Sequence, residues 1–478
     1  MEVRREKIER VRRVLDRGVF ALLLALTALV AVPYGSVDPW WEGAFAAATF
    51  ALGALWMVEG ALGGRWLVAE HRVLAPLAAL SAFAAAQAVP WGRSEVAGVE
   101  VWRTLSADPF ETARAAAKLS AVTLACALYL RYASSERRLR ALAYALVFVG
   151  VASALFGIVR QTTEGEAVRF ISTRLAANVG GYGQFFSRNH FAFHAEMALG
   201  AAAGLLLGAR RERAPVYLAL ALPPWVALVL SNSRAGILGM FALVVTAAWL
   251  HFARARRRRE EPREAGGSLA RAWRRATETT ALRVALVGAL LLLALLGAAW
   301  VGGERLATRL EELPGDLSAE RSKARWGDRR GEIWGATLRL VGEHPLAGVG
   351  FGAYRAAVTR HHDASGEMSL EQAHNDYLEL AASGGLFGVA LAAWFAVLFL
   401  RRARERLRGR GGRRRALCAG ALAGLAAVAL HSLFDFGLHV TTNAFFCAAL
   451  AALACAHVPA EERVRVRRRR RAEAATVA

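Results

Sequence analysis

The stretch EQAHNDYLELAASGGLFGVALAAWFAVLFL, residues 371–400, joins a cluster of polar residues to a long apolar run. From residue 380 onward the run has no charged residue, and it is long enough to cross the roughly 30 Å of a bilayer as a helix. His374, Asn375, Asp376 and Glu379 stand at its beginning. Polar residues at or inside a membrane cost free energy, so those that occur there are the first candidates for function.

Apolar runs of this kind recur along the whole chain of 478 residues, of which 55% are hydrophobic. Their number and length predict an all-α polytopic membrane protein with about 12 transmembrane helices. The predicted spans lie near residues 18–33, 43–62, 72–89, 113–131, 139–159, 190–208, 215–231, 235–252, 281–302, 376–400, 416–438 and 442–458.

The basic residues indicate the orientation of these spans. More than half of the 61 Lys and Arg residues lie in four segments, residues 1–17, 254–275, 401–415 and 461–478. Because cytoplasmic connections are enriched in Lys and Arg, the pattern places both termini in the cytoplasm. Anionic lipid headgroups are sufficient to explain the Arg clusters, so we expect membrane lipids and no nucleic acid as their partners.

This orientation divides the chain into five parts. We predict N-terminal transmembrane helices in residues 1–160 and central ones in 161–302, with a basic cytoplasmic linker at 254–280. One large loop at 303–373, nearly neutral in charge, is expected on the periplasmic side. C-terminal transmembrane helices at 374–458 and a basic cytoplasmic tail at 459–478 complete the chain.

Three further polar stretches map to the side that the large loop faces. They are GQFFSRNHFAFHAEMALG at 183–200, LSNSRAGILG at 230–239 and DRRGEIWGATLRLVGEHPLAGVGFGAY at 328–354. Arg234 in the second lies beside a helix N-terminus, where a guanidinium and free N–H groups can hold an anion; an interfacial Arg without a ligand is the alternative. Arg329 or Arg330 in the third can reach a phosphate.

The third stretch also predicts local structure. Its apolar residues recur at helical spacing, in Ile333, Thr337, Leu340 and in Trp334, Leu338, Val341, so an amphipathic helix that stops at Pro345 is expected.

Two histidines of the first stretch, His190 and His194, are one helical turn apart. Such a pair can ligate a metal, but a zinc site needs further ligands nearby. His374 lies where the dipole of the tenth span favours a neutral imidazole, which accepts protons. A structural hydrogen-bonding role for this His is the alternative.

Together, the four stretches resemble the O-antigen ligase and polymerase superfamily over roughly residues 170–400. SRNHFAFHAEMALG is similar to its N-x-N-H-F-A segment, and SNSRAG to its S-x-S-R-[GA]-[GA] turn. RGEIWGATLRLVGEHPLAGVGFGAY and AHNDYLELAASGGLFG resemble the two blocks that end the large loop. The resemblance implies a GT-C-like glycosyltransferase in the bacterial inner membrane with a periplasmic active site.

The resemblance also implies the chemistry. A glycan moves from undecaprenyl pyrophosphate to a hydroxyl, without a metal or another cofactor. Arg234 and Arg330 would hold the pyrophosphate and His374 would activate the hydroxyl, with Arg188 and Asn375 in support. A glycan, the lipid A core or a protein remain open as acceptor, and a flippase for lipid-linked oligosaccharide is the alternative function.

The chain departs from the family at one position. Many members have an acidic residue shortly before the glycines of the last motif, where this chain has Ser383. Glu379, Asp376 or Asn375 is therefore expected to orient His374.

Overall fold

The computed structural model describes residues 2–63, 71–96, 98–169, 171–178, 180–259, 330–361, 370–409 and 411–456. The described residues are mostly helical. Their helices are α1 (Glu2–Leu29), α2 (Pro39–Gly63), α3 (His71–Ala88), α4 (Pro109–Tyr132), α5 (Glu136–Thr162), α6 (Glu166–Arg169), α7 (Thr173–Ala177), α8 (Arg188–Leu207), α9 (Ala214–Leu230), α10 (Arg234–Arg259), α11 (Arg330–Glu343), α12 (Tyr354–Val358), α13 (Asp376–Arg408), α14 (Gly412–His431) and α15 (Thr441–Cys455).

Every predicted apolar run within the described residues coincides with one of these helices. The run at 281–302 lies outside them, so the total of 12 stays a prediction. Seven helices of the described part are long and apolar enough to cross a membrane. One predicted boundary is wrong, because α14 ends at His431 and not near residue 438.

Helix α8 is the centre of the fold, and it crosses α14 at very short range. Glycines at every fourth position allow this approach: a Cβ on Gly420 would lie 2.2 Å from the backbone N of Gly204, and one on Gly200 would lie 2.6 Å from the Cα of Gly424. Small residues at this spacing are typical of tightly packed membrane helices. The contact fixes the N-terminal end of α8 relative to the chain that follows α14.

The expectation of a purely α-helical chain is wrong in one place. Residues Gly92–Val96 (β1) and Val99–Arg103 (β2) form an antiparallel hairpin between α3 and α4. Its strands are exposed, and the guanidinium of Arg93 lies 4.6 Å from the ring centre of Trp102. Only β2, VEVWR, alternates apolar and polar residues, and only over its first three positions, so the sequence does not indicate a strand here.

The predicted amphipathic helix of the loop is present as α11 and ends two residues before Pro345. Ile333, Thr337 and Leu340 are buried as expected, whereas Leu338 is 58% exposed. The packed side of α11 is therefore a narrower stripe than the sequence indicated.

The glycine-rich turn that follows α11 lies against a break in α13. Gly385 has a φ of +56° there, and the backbone N–H groups of Val349 and Gly350 donate to the carbonyls of Ala382 and Ser383 at 2.9 and 3.0 Å. A Cβ on Gly350, whose φ is +100°, would lie 2.5 Å from Ser106 Oγ. Glycine at these positions lets the loop bind to the helix just beyond His374.

Candidate active site

Arg234 is the first residue of α10, and its position is set by the serine before it. Ser233 Oγ accepts the N–H of Gly236 at 3.1 Å, which caps the helix. The same hydroxyl donates to Asn189 Oδ1 at 2.8 Å. The Arg234 side chain is exposed and makes no hydrogen bond or ion pair within the described residues. Its guanidinium therefore remains available at the positive end of a helix.

Asn189 links two other elements to this turn. It lies in the first turn of α8, beside the half-buried Arg188. Its Oδ1 accepts from Ser233, and its Nδ2 donates to Asp435 Oδ2. The amide thus bridges the start of α10 and the connection between α14 and α15.

His374 is the next group in this series. Its Nδ1 lies 3.3 Å from Asp435 Oδ1, and its ring meets Phe436 edge to face at 4.9 Å between ring centres. Since an ionised carboxylate only accepts hydrogen bonds, Nδ1 carries the proton and Nε2 has the free lone pair. The His374 side chain is 37% exposed, and no described residue hydrogen-bonds to Nε2. The arrangement leaves Nε2 able to take a proton from a substrate.

The backbone at His374 adds a second constraint. Its φ is +49°, in the left-handed region that residues other than glycine rarely adopt. Asn375, directly after it, caps α13 by accepting the N–H groups of Tyr377 and Leu378 at 3.0 and 3.1 Å. The cap turns the chain sharply and directs the imidazole towards Asp435.

Asp435 was not among the residues singled out from the sequence. Its side chain is 2% exposed, and Oδ1 also accepts the N–H of Phe436 at 2.9 Å. Burial alone would raise the pKa of this carboxyl, but the hydrogen bond with His374, the nearby imidazoles and the Phe436 N–H hold it well below its usual range. An ionised Asp435 is therefore a permanent acceptor for His374.

The expected orienting groups have other partners. Glu379 Oε2 accepts the N–H of Ala373 at 2.9 Å, and Asp376 Oδ2 accepts the hydroxyl of Ser432 at 2.7 Å. Both carboxylates also face His439, at 3.4 and 3.6 Å. The hydrogen-bond partner of His374 is therefore Asp435 and not Glu379 or Asp376, whereas Asn375 contributes through its cap of α13.

Arg330 reaches the same neighbourhood through α11. It is the first residue of that helix, is partly exposed, and makes no hydrogen bond or ion pair within the described part of the chain. Trp334, one turn further on the same side, donates its indole N–H to the carbonyl of Ala373 at 3.1 Å. Arg330 thus lies one helical turn from a group bonded to the residue before His374. Arg329 lies outside the described residues.

The two histidines considered as metal ligands have separate environments. His190 meets Phe436 edge to face at 4.8 Å, and His194 Nε2 lies 3.3 Å from Ser153 Oγ. In the described ranges no group of three or more His, Cys, Asp or Glu side chains has the geometry of a metal site.

Residues 216–393 match the family profile described as O-antigen ligase. The match covers fewer than half of the 478 residues, and over that region the chain is similar to the O-antigen ligase family. No curated protein sequence matches the chain. Together with the apolar helices, this match indicates an integral membrane protein and supports the role of a membrane glycan ligase, a glycosyltransferase type of enzyme.

The matched region contains Arg234, Arg330 and His374. Asn189 and Asp435 lie on either side of it, 27 residues before and 42 residues after its ends. The hydrogen bonds that these two residues make therefore complete the site from outside the matched region. A sequence signal for Asp435 did exist, since HSLFDFGLH places an acid in an otherwise apolar run.

Outside the matched region, an ionisable pair lies deep between helices. Glu196 Oε1 lies 2.9 Å from His431 Nδ1, and both side chains are fully buried. Gly239 makes room for the carboxylate, because a Cβ there would lie 2.2 Å from Glu196 Oε1. The pair joins α8, α10 and α14, which carry Asn189, Arg234 and the chain leading to Asp435.

Proposed function

We propose that the protein transfers or polymerises an oligosaccharide from a polyprenyl pyrophosphate, specifically undecaprenyl pyrophosphate, onto an acceptor hydroxyl. One observation carries the proposal: hydrogen bonds run from Ser233 through Asn189 and Asp435 to His374. This series links the turn that bears an unpaired guanidinium to an accessible imidazole.

The proposed reaction is a single displacement at the anomeric carbon. His374 Nε2 takes the proton of the acceptor hydroxyl as its oxygen forms a bond to that carbon. The bond from carbon to the pyrophosphate oxygen breaks, and the polyprenyl pyrophosphate leaves with the electron pair. Asp435 stabilises the imidazolium that forms, and the anomeric configuration is inverted.

The leaving group requires positive charge as it departs. Arg234 and Arg330 hold the pyrophosphate in this proposal. Each guanidinium group can donate two parallel hydrogen bonds to phosphate oxygens, and its positive charge neutralises the negative charge that develops on the leaving group. Arg188 supports them from the start of α8. Asn375 supports His374 by capping α13 in the geometry described above.

The family and the chemistry together suggest a setting. We propose a bacterial inner-membrane enzyme with both termini in the cytoplasm, an active site facing the periplasm, and a role in surface polysaccharide assembly, either of O-antigen or of exopolysaccharide. The acceptor is a glycan, the lipid A core or a protein hydroxyl. Deleting the gene separates two of these: loss of a polymerase leaves single repeats attached, and loss of a ligase leaves none.

A transporter of lipid-linked oligosaccharide is the second candidate, and the buried Glu196–His431 pair is the feature that favours it. A transporter requires no base, so the variants described next distinguish the two candidates.

His374→Ala and Arg234→Ala should each abolish transfer in vesicles supplied with lipid-linked donor, while the donor accumulates at the outer leaflet. Arg169→Ala is the matched control, since among the described residues this exposed Arg pairs with Glu166 alone, and it should transfer at the wild-type rate. Transfer by either site variant at more than a tenth of the wild-type rate would contradict the proposal. Donor that remains at the inner leaflet would favour transport.

Metal independence is part of the proposal, since His374, Arg234 and Arg330 supply both the base and the positive charge. Wild-type turnover should be unchanged in excess chelator. Loss of turnover that a divalent cation restores would contradict metal independence and would make His190 and His194 the candidate metal ligands.

A further inference from the structure

A second basic site lies at the other end of α8. Three connections meet there around a cavity of about 260 Å³, and four arginines line it: Arg140 of α5, Arg210 and Arg213 between α8 and α9, and Arg413 of α14. The cavity is separated from Asn189 by the length of α8, on the order of 30 Å for a helix of this size. It therefore does not belong to the candidate active site.

Three of the four arginines, Arg140, Arg210 and Arg213, have no acidic partner within the described residues. The Nε of Arg140 is buried without a hydrogen-bond acceptor. Within the described residues, the side chains of Arg140, Arg210 and Arg213 make no hydrogen bond or ion pair, and no acidic residue lines the cavity. Several positively charged arginines so close together repel one another, which is unfavourable unless an anion is bound between them.

The backbone around the cavity adds to its positive potential. Helix α14 begins here, and its N-cap residue, Gly411, provides no side-chain hydrogen bond to the first N–H groups. Free N–H groups at a helix N-terminus bind anions. The negative end of α8 also reaches the cavity, but two of its last carbonyls already accept N–H groups from Gly208 and Ala209.

The remaining walls suit a small polar headgroup. Gly204 and Gly208 leave space on one side, and Tyr217, whose hydroxyl lies 2.8 Å from that of Tyr144, lines another. The volume is slightly below the roughly 300–1,000 Å³ of sites that enclose a whole small molecule. A phosphate with a few attached atoms fits such a space better than a nucleotide or an oligosaccharide does.

We propose that this cavity binds the phosphate of an anionic phospholipid. The lipid is preferred to a free anion because the cavity opens where apolar helices end, which is the depth of lipid headgroups. Guanidinium groups hold the phosphate oxygens, and the acyl chains lie along the outside of the helices. Bound lipid then joins three segments that otherwise repel one another.

Thermal unfolding of the full-length protein in detergent provides the test, with dioleoylphosphatidylglycerol as the probe and dioleoylphosphatidylcholine as the neutral control. We expect the phosphatidylglycerol to raise the unfolding temperature saturably and the phosphatidylcholine to have a much smaller effect. Arg140→Ala combined with Arg213→Ala should raise the half-saturating lipid concentration at least tenfold. Arg211→Ala is the matched control, because Arg211 belongs to the same turn but does not line the cavity.

Several outcomes would overturn the proposal. An equal loss of lipid response in Arg211→Ala would mean that surface charge, and not the cavity, attracts the lipid. Equal stabilisation by inorganic phosphate, abolished by the same variants, would assign the site to a free anion. If the double variant does not fold, Arg213→Gln alone, at an exposed position, should still weaken the response several-fold, and an unchanged response would refute the assignment.

Discussion

Replacing Asp435 by Asn tests the proposed mechanism at its most specific point. The two side chains have nearly the same shape, so the substitution removes the charge while preserving the volume of a buried site. Asp435 Oδ1 accepts from His374 and from the Phe436 N–H, and Oδ2 accepts from Asn189. An Asn at this position has one acceptor oxygen, which must serve the first two donors if the imidazole is to keep its orientation.

The position of the Asn amide group follows from its neighbours. Its NH₂ would then face Asn189, which can rotate its own amide by 180° and accept. Ser233 Oγ is a hydroxyl and can accept from the rotated Asn189. The fold therefore tolerates the change, and the main loss is the charge beside the imidazolium that forms in the reaction.

The magnitude follows from that lost charge. A hydrogen bond to a charged group contributes about 1.5–3 kcal/mol, which corresponds to a rate reduction of about 10- to 150-fold. Coulomb's law at an effective dielectric constant of 20 gives about 5 kcal/mol for unit charges at the observed separation of 3.3 Å, which is an upper bound. We expect kcat for glycan transfer to be reduced by about 10- to 150-fold. The KM for the donor should change little.

The assay is the initial rate of transfer by the purified protein in vesicles that contain lipid-linked donor. Asp376→Asn is the matched control, because this buried carboxylate bonds to Ser432 and not to His374; its rate should stay within about threefold of wild type. A rate for Asp435→Asn within twofold of wild type would refute the assignment of Asp435 as the partner of the base. A larger reduction of the transfer rate in Asp376→Asn than in Asp435→Asn would also refute this assignment.

Two further predictions concern stability. Because the pKa of Asp435 is lowered in the fold, its contribution is complete above the unfolded value of about 3.9 and is lost as the pH falls through the folded value. The difference in unfolding temperature between wild type and Asp435→Asn should thus narrow as the pH falls below about 4; a difference already lost at pH 5 would contradict the lowered pKa. Glu196→Ala leaves His431 buried without its partner and should cost about 3–5 kcal/mol of stability, whereas Glu196→Gln, which keeps a hydrogen-bonding group, should cost less. An unchanged unfolding temperature in Glu196→Ala would show that the pair does not stabilise the helices.

The candidate site could be predicted from the sequence only in part. Arg234, Arg330 and His374 were identified because each stands at the beginning of a helix, which local sequence reveals. Asp435 was missed because it is 61 residues from His374 and lies in a run read as part of a span. Its role depends on α14 ending at His431, which places the acid in a turn.

The sequence by itself determined the membrane helices, since the thickness of a bilayer sets a length of apolar chain that can be read without knowing any contact. Only the tertiary structure decided which polar ends of those helices meet. Glycines at every fourth position bring α8 and α14 together, and the left-handed backbone at His374 directs its ring to Asp435. The physical reason is that a hydrogen bond requires two groups within about 3 Å, and helix crossings between distant segments set that distance.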